Sequence, residues 1–340
     1  MSRHAAGCAL RPARPEDGAA VAEMCAALSR HEGLDPPALT PEAFRRDGFG
    51  ANSPFECMIA ELDGRPAGYA MHVGDYDTDL MCHSVYMADL YVDPAARRRG
   101  VGRALMAALA QICAARGGRT LHWNVLRSNP TARAFYATVG IELSDSVVCG
   151  VEGEGYAALA ATPVPAEMDV RRATAADVPA LARLLEGLLL NEGFDPSTLD
   201  LAGRLAADGF GARPAFVCHL AARGGEAMGY ALHWPIYDTE PASRTAYLSD
   251  MYVADAARRL GVGRALMGAV ARHWRESGAA WIEWEVRRDN ARARAFYASF
   301  AQEYPDILRM IARDDDFAAL AAEGAALRAG FRRPLPGADA

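Results

Sequence analysis

Met87-Ala88-Asp89-Leu90-Tyr91-Val92-Asp93-Pro94-Ala95-Ala96-Arg97-Arg98-Arg99-Gly100-Val101-Gly102-Arg103-Ala104-Leu105-Met106 is the stretch that decides how this chain reads. Tyr86 to Val92 mixes aromatic and apolar residues around one aspartate, the composition of a largely buried strand. Asp93-Pro94 ends the strand, because proline cannot donate to a ladder. From Val101 onward apolar residues recur at helical spacing through Leu109 and Ile112. Between the two lies Arg97-Arg98-Arg99-Gly100-Val101-Gly102. A strand, a basic glycine loop and a helix start make an anion site. Unpaired N–H groups at the helix N-terminus face outward, the dipole favours negative charge, and glycines admit a phosphate to the backbone.

The loop is not a Walker loop, since no Gly-Lys-Ser/Thr follows, nor a dinucleotide fingerprint, since Leu105 holds the third glycine position. A second copy lifts it above a basic surface turn. Asp250-Met251-Tyr252-Val253 leads into Arg258-Arg259-Leu260-Gly261-Val262-Gly263-Arg264-Ala265-Leu266-Met267, 161 residues later. Residues 89–108 and 250–269 match at 15 of 20 positions. Downstream, Asn129-Pro130-Thr131-Ala132-Arg133-Ala134-Phe135-Tyr136 is paralleled by Asn290-Ala291-Arg292-Ala293-Arg294-Ala295-Phe296-Tyr297.

Arg-x-x-Gly-x-Gly between strand and helix, followed by Asn-x-x-Ala-x-x-Phe-Tyr, resembles the acyl-CoA loop and second hallmark helix of the GNAT N-acetyltransferases. Both occur twice, in order and at matching spacing. The resemblance implies two tandem α/β domains, residues 1–161 and 168–340, each a mixed and mostly antiparallel sheet flanked by helices. It also implies acetyl transfer from acetyl-CoA to the primary amine of a small molecule. Arg97–Arg103 and Arg258–Arg264, that is Arg97, Arg98, Arg99, Gly100, Val101, Gly102, Arg103 and Arg258, Arg259, Leu260, Gly261, Val262, Gly263, Arg264, would hold the cofactor's pyrophosphate. Leu90, Tyr91, Val92 and Met251, Tyr252, Val253 would pair with pantetheine and offer an N–H to the oxyanion. By the same likeness Asn129, Phe135, Asn290 and Phe296 lie near the cofactor, and Tyr136 and Tyr297 protonate the leaving thiolate. The residues alone also allow core packing for the tyrosines and helix capping for the asparagines.

Tyr86 to Val92 most resembles the diamine branch, of spermidine/spermine and thialysine acetyltransferases. Where that branch often carries Leu-Glu-Asp, with the Glu a proposed base, this chain has Ala88 and Ser249, which cannot serve. Asp89, Asp250, Glu32, Glu192, Asp77 and Asp238 remain as carboxylates for the acceptor cleft. His72 and His233 are further candidates, although a strand histidine is more often structural.

The repeat covers nearly the whole chain. A first strand at Leu10–Ala13 or Val170–Ala173 leads into a helix ending near Ser29 or Leu190. Strands at 55–62 and 216–222, then at 68–72 and 229–233, run into loops holding Tyr76-Asp77-Thr78 and Tyr237-Asp238-Thr239. Last strands fall near Ser146–Cys149 and Ile307–Met310, each followed by a short helix. Thr162-Pro163-Val164-Pro165 reads as a stiff linker and Pro334–Ala340 as a frayed tail.

The 340 residues exceed one ordinary core, and 51% hydrophobic content suits packed domains. Net charge is −7, so nucleic acid and an anionic membrane are not expected partners, whereas an acidic surface suits a cationic acceptor. Seven unclustered cysteines read as reduced thiols, and no His/Cys/Asp pair has metal-ligand spacing. Met1–Leu10 lacks the apolar core of a signal peptide and no stretch reaches membrane-spanning length, so a cytoplasmic location is expected. The chain is expected to act as a pseudo-dimer within a monomer, or as a homodimer, with each acceptor cleft bordered by the other half. Two other functions fit the same motifs: an acyl-CoA-binding sensing or structural module with one or both halves inactive, and a protein or peptide N-acetyltransferase.

Overall fold

The computed structural model describes residues 8–50 and 53–329. The Pro334–Ala340 tail and most of the Met1–Leu10 segment lie outside the described residues. The first half runs β1 (Cys8–Pro12), α1 (Gly18–Glu32), α2 (Pro41–Gly48), β2 (Glu56–Leu62), β3 (Arg65–Asp77), β4 (Cys82–Val92), α3 (Val101–Ala115), β5 (Thr120–Leu126), α4 (Pro130–Tyr136), β6 (Ile141–Leu143), β7 (Ser146–Glu152) and α5 (Gly153–Ala160). The second repeats it as β8 (Asp169–Arg172), α6 (Val178–Glu192), α7 (Leu201–Arg204), β9 (Val217–Arg223), β10 (Glu226–Asp238), β11 (Ser243–Val253), α8 (Val262–Glu276), β12 (Trp281–Arg287), α9 (Ala291–Tyr297), β13 (Gln302–Tyr304), β14 (Ile307–Ala312) and α10 (Asp314–Ala329).

Two seven-stranded sheets result, ordered β1-β2-β3-β4-β5-β14-β6 and β8-β9-β10-β11-β12-β7-β13. Among the described residues the only parallel pairings are β4 with β5 and β11 with β12, so the mixed, mostly antiparallel α/β class expected from the sequence is what forms. The last strands, however, are exchanged. β7 pairs with β12 and β13, and β14 pairs with β5 and β6. The repeat boundary near residue 161 is therefore not the boundary in space. Sheet pairing carries no label of chain origin, and β7 and β14 present equivalent edges, so nothing local to either strand reveals the exchange.

Each exchanged helix follows its strand. Phe317 and Leu320 of α10 join the core between α3 and the first sheet, with Leu105, Trp123 and Met310. A Cβ on Gly324 would fall 2.1 Å from the Ala107 carbonyl oxygen, so only glycine lets α10 lie this close along α3. Tyr156 and Leu159 of α5 likewise fill the core between α8 and the second sheet. On the opposite faces, α1 with α2 and α6 with α7 bury one continuous apolar cluster shared by both halves.

Three details depart from the sequence reading. Tyr76-Asp77 and Tyr237-Asp238 remain in strand, because β3 and β10 stay paired with β4 and β11 to their ends. α1 and α6 run to Glu32 and Glu192, stopped by left-handed Gly33 and Gly193. β6 and β13 have three residues each, too few for periodicity to register.

Fragments 1–161 and 168–340 each carry a strand that belongs in the other sheet and lack the one completing their own. Expressed apart, neither is expected to be a folded monomer by size-exclusion chromatography and circular dichroism, and mixing them should restore one folded complex. Two folded monomers as stable as the whole chain would show the exchange to be dispensable.

Candidate active site

The sheet opens at the stretch quoted first. β4 pairs with β5 from Ser84↔Thr120 only as far as Met87↔Trp123, and β11 with β12 only as far as Leu248↔Trp284. At that point Ala88 and Ser249 are bulged out of register with β3 and β10. A bulge adds twist and turns the strand end away from its neighbour. Asp89 to Val92 and Asp250 to Val253 thus keep one partner strand and leave the other backbone edge unpaired.

The loops follow at once. Gly100 and Gly261 precede α3 and α8 with φ of 85° and 82°, a left-handed conformation that suits glycine. The first N–H groups of both helices lack intrahelical partners. Arg97 and Arg258 turn back instead, their Nε donating to the carbonyls of Val92 and Val253 at 3.1 Å, so they brace the loops. Arg98, Arg99, Arg259 and Leu260 stay exposed. Arg103 is ion-paired with Glu323, and Arg264 lies over the Phe300 ring at 4.5 Å. A Cβ on Gly102 or Gly263 would come within 3.3 Å of the Phe135 or Phe296 ring, which places both rings against the loops.

In the second half these parts enclose a cleft of about 670 Å³. Every second-half residue assigned above to the cofactor lines it, Leu260 apart, together with Tyr297 and Glu192. Asn129 and Asn290 accept from the N–H of Ala132 and Ala293 at 3.0 Å and so cap α4 and α9, while Asn290 also lines the cleft. The open backbone, the helix starts and the exposed guanidinium groups fit the phosphates of a CoA.

Tyr136 and Tyr297 pack on Trp123 and Trp284, with ring centroids 5.2 and 4.8 Å apart. Neither phenol hydrogen-bonds to the protein among the described residues. Burial, then the charges of Glu32 and Asp89, raises the Tyr136 phenol and keeps it protonated. Burial, then Cys149, raises Tyr297.

Glu32 and Asp89 act on Tyr136, and Glu192 shares a cleft with Tyr297. Asp89 accepts from Tyr69 at 2.8 Å, and Asp250 from Tyr230 at 3.3 Å. Both also accept from the opposite half: Thr239 Oγ1 donates to Asp89 at 3.3 Å and Thr78 Oγ1 to Asp250 at 2.9 Å. Tyr76 and Tyr237 reach across in the same way, each donating at 2.9 Å, to Asp208 and Asp47. Burial, then Asp89 and Glu240, pushes Glu32 up to about 7. Desolvation by the cleft walls, then the Asp79 charge, pushes Glu192 to about 6. Each half's carboxylates therefore feel an acid of the other half.

Asp77 and Asp238 instead accept from the N–H of Leu80 and Glu240, both at 2.9 Å, within their own turns. Asp238 still faces the opposite half's Asp89, one of the charges that keep it raised to about 6. His72 and His233 do not join the acids. They are fully buried on the α3 and α8 faces, where His233 bonds His219 and Trp274. Thr78, Thr239, Asp79, Glu240, Tyr69 and Tyr230 are the site residues that sequence reasoning missed. The repeated Tyr-Asp-Thr stretch was the available signal, but its reach into the opposite half is a property of the fold.

The acetyltransferase (GNAT) family pattern matches the chain twice, over residues 23–141 and 187–301. The chain belongs to the GNAT family. The thialysine N-epsilon-acetyltransferase of Sus scrofa is 31% identical over 140 residues, 38% of this chain and 82% of that protein. The mycothiol acetyltransferase of Clavibacter michiganensis is 29% identical over 263 residues, 75% of this chain and 80% of that one. A tandem GNAT protein from the clavulanic acid biosynthesis pathway shares the fold, with a TM-score of 0.51 at 16% identity over 90% of this chain and 98% of that one. The protein is thus an N-acetyltransferase built of tandem GNAT units, of a family that generally uses acetyl-CoA. Among the described residues no helix is long and apolar enough to cross a membrane, and no cluster of His, Cys, Asp or Glu is arranged for a metal ion.

Replacing Thr78 or Thr239 by valine removes the cross-half donor and keeps the shape. Each change should cost roughly 1–3 kcal/mol in denaturant titration at pH 8, where a buried carboxylate oxygen loses a donor. Asp250 is pushed up to about 6. At pH 5 it is protonated with or without Thr78, so the Thr78→Val loss should shrink there.

Proposed function

We propose that this protein transfers acetyl from acetyl-CoA to a primary amine of a small cationic molecule, at a site in each half. The observation that carries this reading is the grouping of a protonated phenol with raised carboxylates at the parted strands: Tyr136 with Glu32 and Asp89, and Tyr297 in one cleft with Glu192, whose charge in turn acts on Asp250. Acetyl-CoA supplies an acyl group already activated as a thioester.

The chain's own residues do the rest. The loop N–H groups and exposed arginines hold the phosphates. The unpaired edge of β4 or β11 aligns the bound chain, and an N–H there donates to the oxygen on which charge grows. An amine reaches the cleft mainly as its ammonium, attracted by the carboxylates of both halves. Glu32 or Glu192, with values near neutrality, accepts the proton and leaves a lone pair for attack. The C–N bond forms as the C–S bond breaks, Tyr136 or Tyr297 delivers its proton to the departing sulfur, and the second proton lost by the nitrogen returns through water to the phenolate. The products are an N-acetylated amine and free CoA thiol. A small cationic acceptor agrees with the thialysine and mycothiol acetyltransferases among the relatives, both named for small molecules.

A thiol-release assay of acetyl-CoA against a panel of diamines, amino acids and amino sugars tests the activity. Tyr136→Phe combined with Tyr297→Phe should lower kcat by roughly tenfold to ten-thousandfold with little change in acetyl-CoA affinity. An unchanged kcat would return both rings to core packing. For the amine, kcat/KM should rise with pH through about 6–7 as Glu32 and Glu192 lose protons. That limb should vanish when both are changed to glutamine.

A further inference from the structure

The two halves share their loops but not what surrounds them. In the second half, Arg292 lies in the first turn of α9 and lines the cleft with Arg259 and Arg264. Arg292 is exposed and has no hydrogen bond or ion pair among the described residues. Arg264 rests on Phe300 without a carboxylate partner among the described residues. In the first half Thr131 stands where the second has Arg292. Arg103, the counterpart of Arg264, is fully engaged. Its Nε and Nη2 donate to Glu323 of the exchanged helix α10 at 2.8 and 2.7 Å, and its Nη1 donates to the Thr138 carbonyl at 3.1 Å. A guanidinium held bidentate by a carboxylate must leave it before serving another anion. The first loop has one exposed arginine more, Arg99 in place of Leu260, but among the described residues no guanidinium stands at the position of Arg292.

We propose that the halves bind acetyl-CoA unequally: the second binds it more tightly, with Arg292 taking its 3′-phosphate, while in the first Glu323 withholds Arg103. This rests on acetyl-CoA being the donor. CoA carries a pyrophosphate and a 3′-phosphomonoester. The glycine loop and the start of α8 satisfy the pyrophosphate, so a cation on a different element of the same cleft meets the other phosphate. α10 arrives from the second half, so the first half's cofactor site is set partly by a residue of its neighbour.

Calorimetric titration of the full-length protein decides it. Acetyl-CoA should show two classes of site. Arg292→Ala should weaken the tighter class about tenfold, the scale of one lost charge-assisted contact, and leave the weaker class alone. Acetyl-3′-dephospho-CoA should show the same weakening in the unmodified protein and no further loss in Arg292→Ala. Glu323→Gln, which frees Arg103, should tighten the weaker class. A single saturable class that Arg292→Ala weakens also supports the proposal.

Two indistinguishable classes, or a tight class that Arg292→Ala leaves within twofold, would overturn the inequality. If acetyl-CoA and its dephospho form weaken equally in Arg292→Ala, the 3′-phosphate assignment fails. A weaker class indifferent to Glu323→Gln removes the withholding of Arg103. Complete absence of acetyl-CoA binding would instead remove the reading of the donor.

Discussion

The exchange of β7 and β14 is the constraint on which the rest of this structure depends. Each sheet needs the other half's last strand to complete pairing next to β5 or β12. β5 and β12 are the strands from which β4 and β11 part to open the site. Pairing on the far edge, by β14 and β7, holds them in place while the near edge is left open. A half without its exchanged strand would have β5 or β12 unpaired along much of both edges, an arrangement prone to further pairing. The fusion of two copies and the opening of the sheet are therefore one design problem with one solution.

The same exchange explains why each group of carboxylates feels both halves. Bringing β14 beside β5 draws the ends of β3 and β10 together, and Thr78 and Thr239 then donate to Asp250 and Asp89 across the join. The donors oppose burial, which raises both aspartates. Each donor favours the charged form of its acid, so without Thr239 or Thr78 desolvation would raise Asp89 and Asp250 further.

Much of this was legible in the sequence, because repetition turned weak signals into strong ones. One Arg-x-x-Gly-x-Gly loop is a common turn; two, each followed by Asn-x-x-Ala-x-x-Phe-Tyr, specify the fold. The bulges at Ala88 and Ser249 were not readable, since neither residue is a glycine and bulging is decided by the partner strand. Nor was the role of Arg97 and Arg258, which look like anion ligands but brace the loop through Val92 and Val253. His72 and His233 illustrate the converse. They pair with Met87 and Leu248 of the acidic strands, but the bulged Ala88 and Ser249 separate these pairs from Asp89 and Asp250, and the histidines lie on the other face. What sequence lacks throughout is the identity of the element across the gap.

The axis between the halves shows what fusion permits that a symmetric dimer does not. Arg309 on β14 is buried between Tyr86 and Tyr247, 5.2 and 4.8 Å from their rings, and is ion-paired with Glu285 of the other sheet. The two tyrosines occupy equivalent places in the repeat, but Arg309 and Glu285 do not: the first half has Val148 and Asn124 there. In the sheets, Arg309 sits opposite Asn124, and Glu285 opposite Val148. Two identical subunits of the second kind would place two arginines and two glutamates around one axis, four charges to bury in place of two. Two of the first kind would have no ion pair at all. Only a chain whose halves have diverged can place one guanidinium between equivalent rings and give it one carboxylate. That ion pair joins the two sheets at a place where the halves have diverged, while Thr78 and Thr239 keep the same reach across the join in both directions.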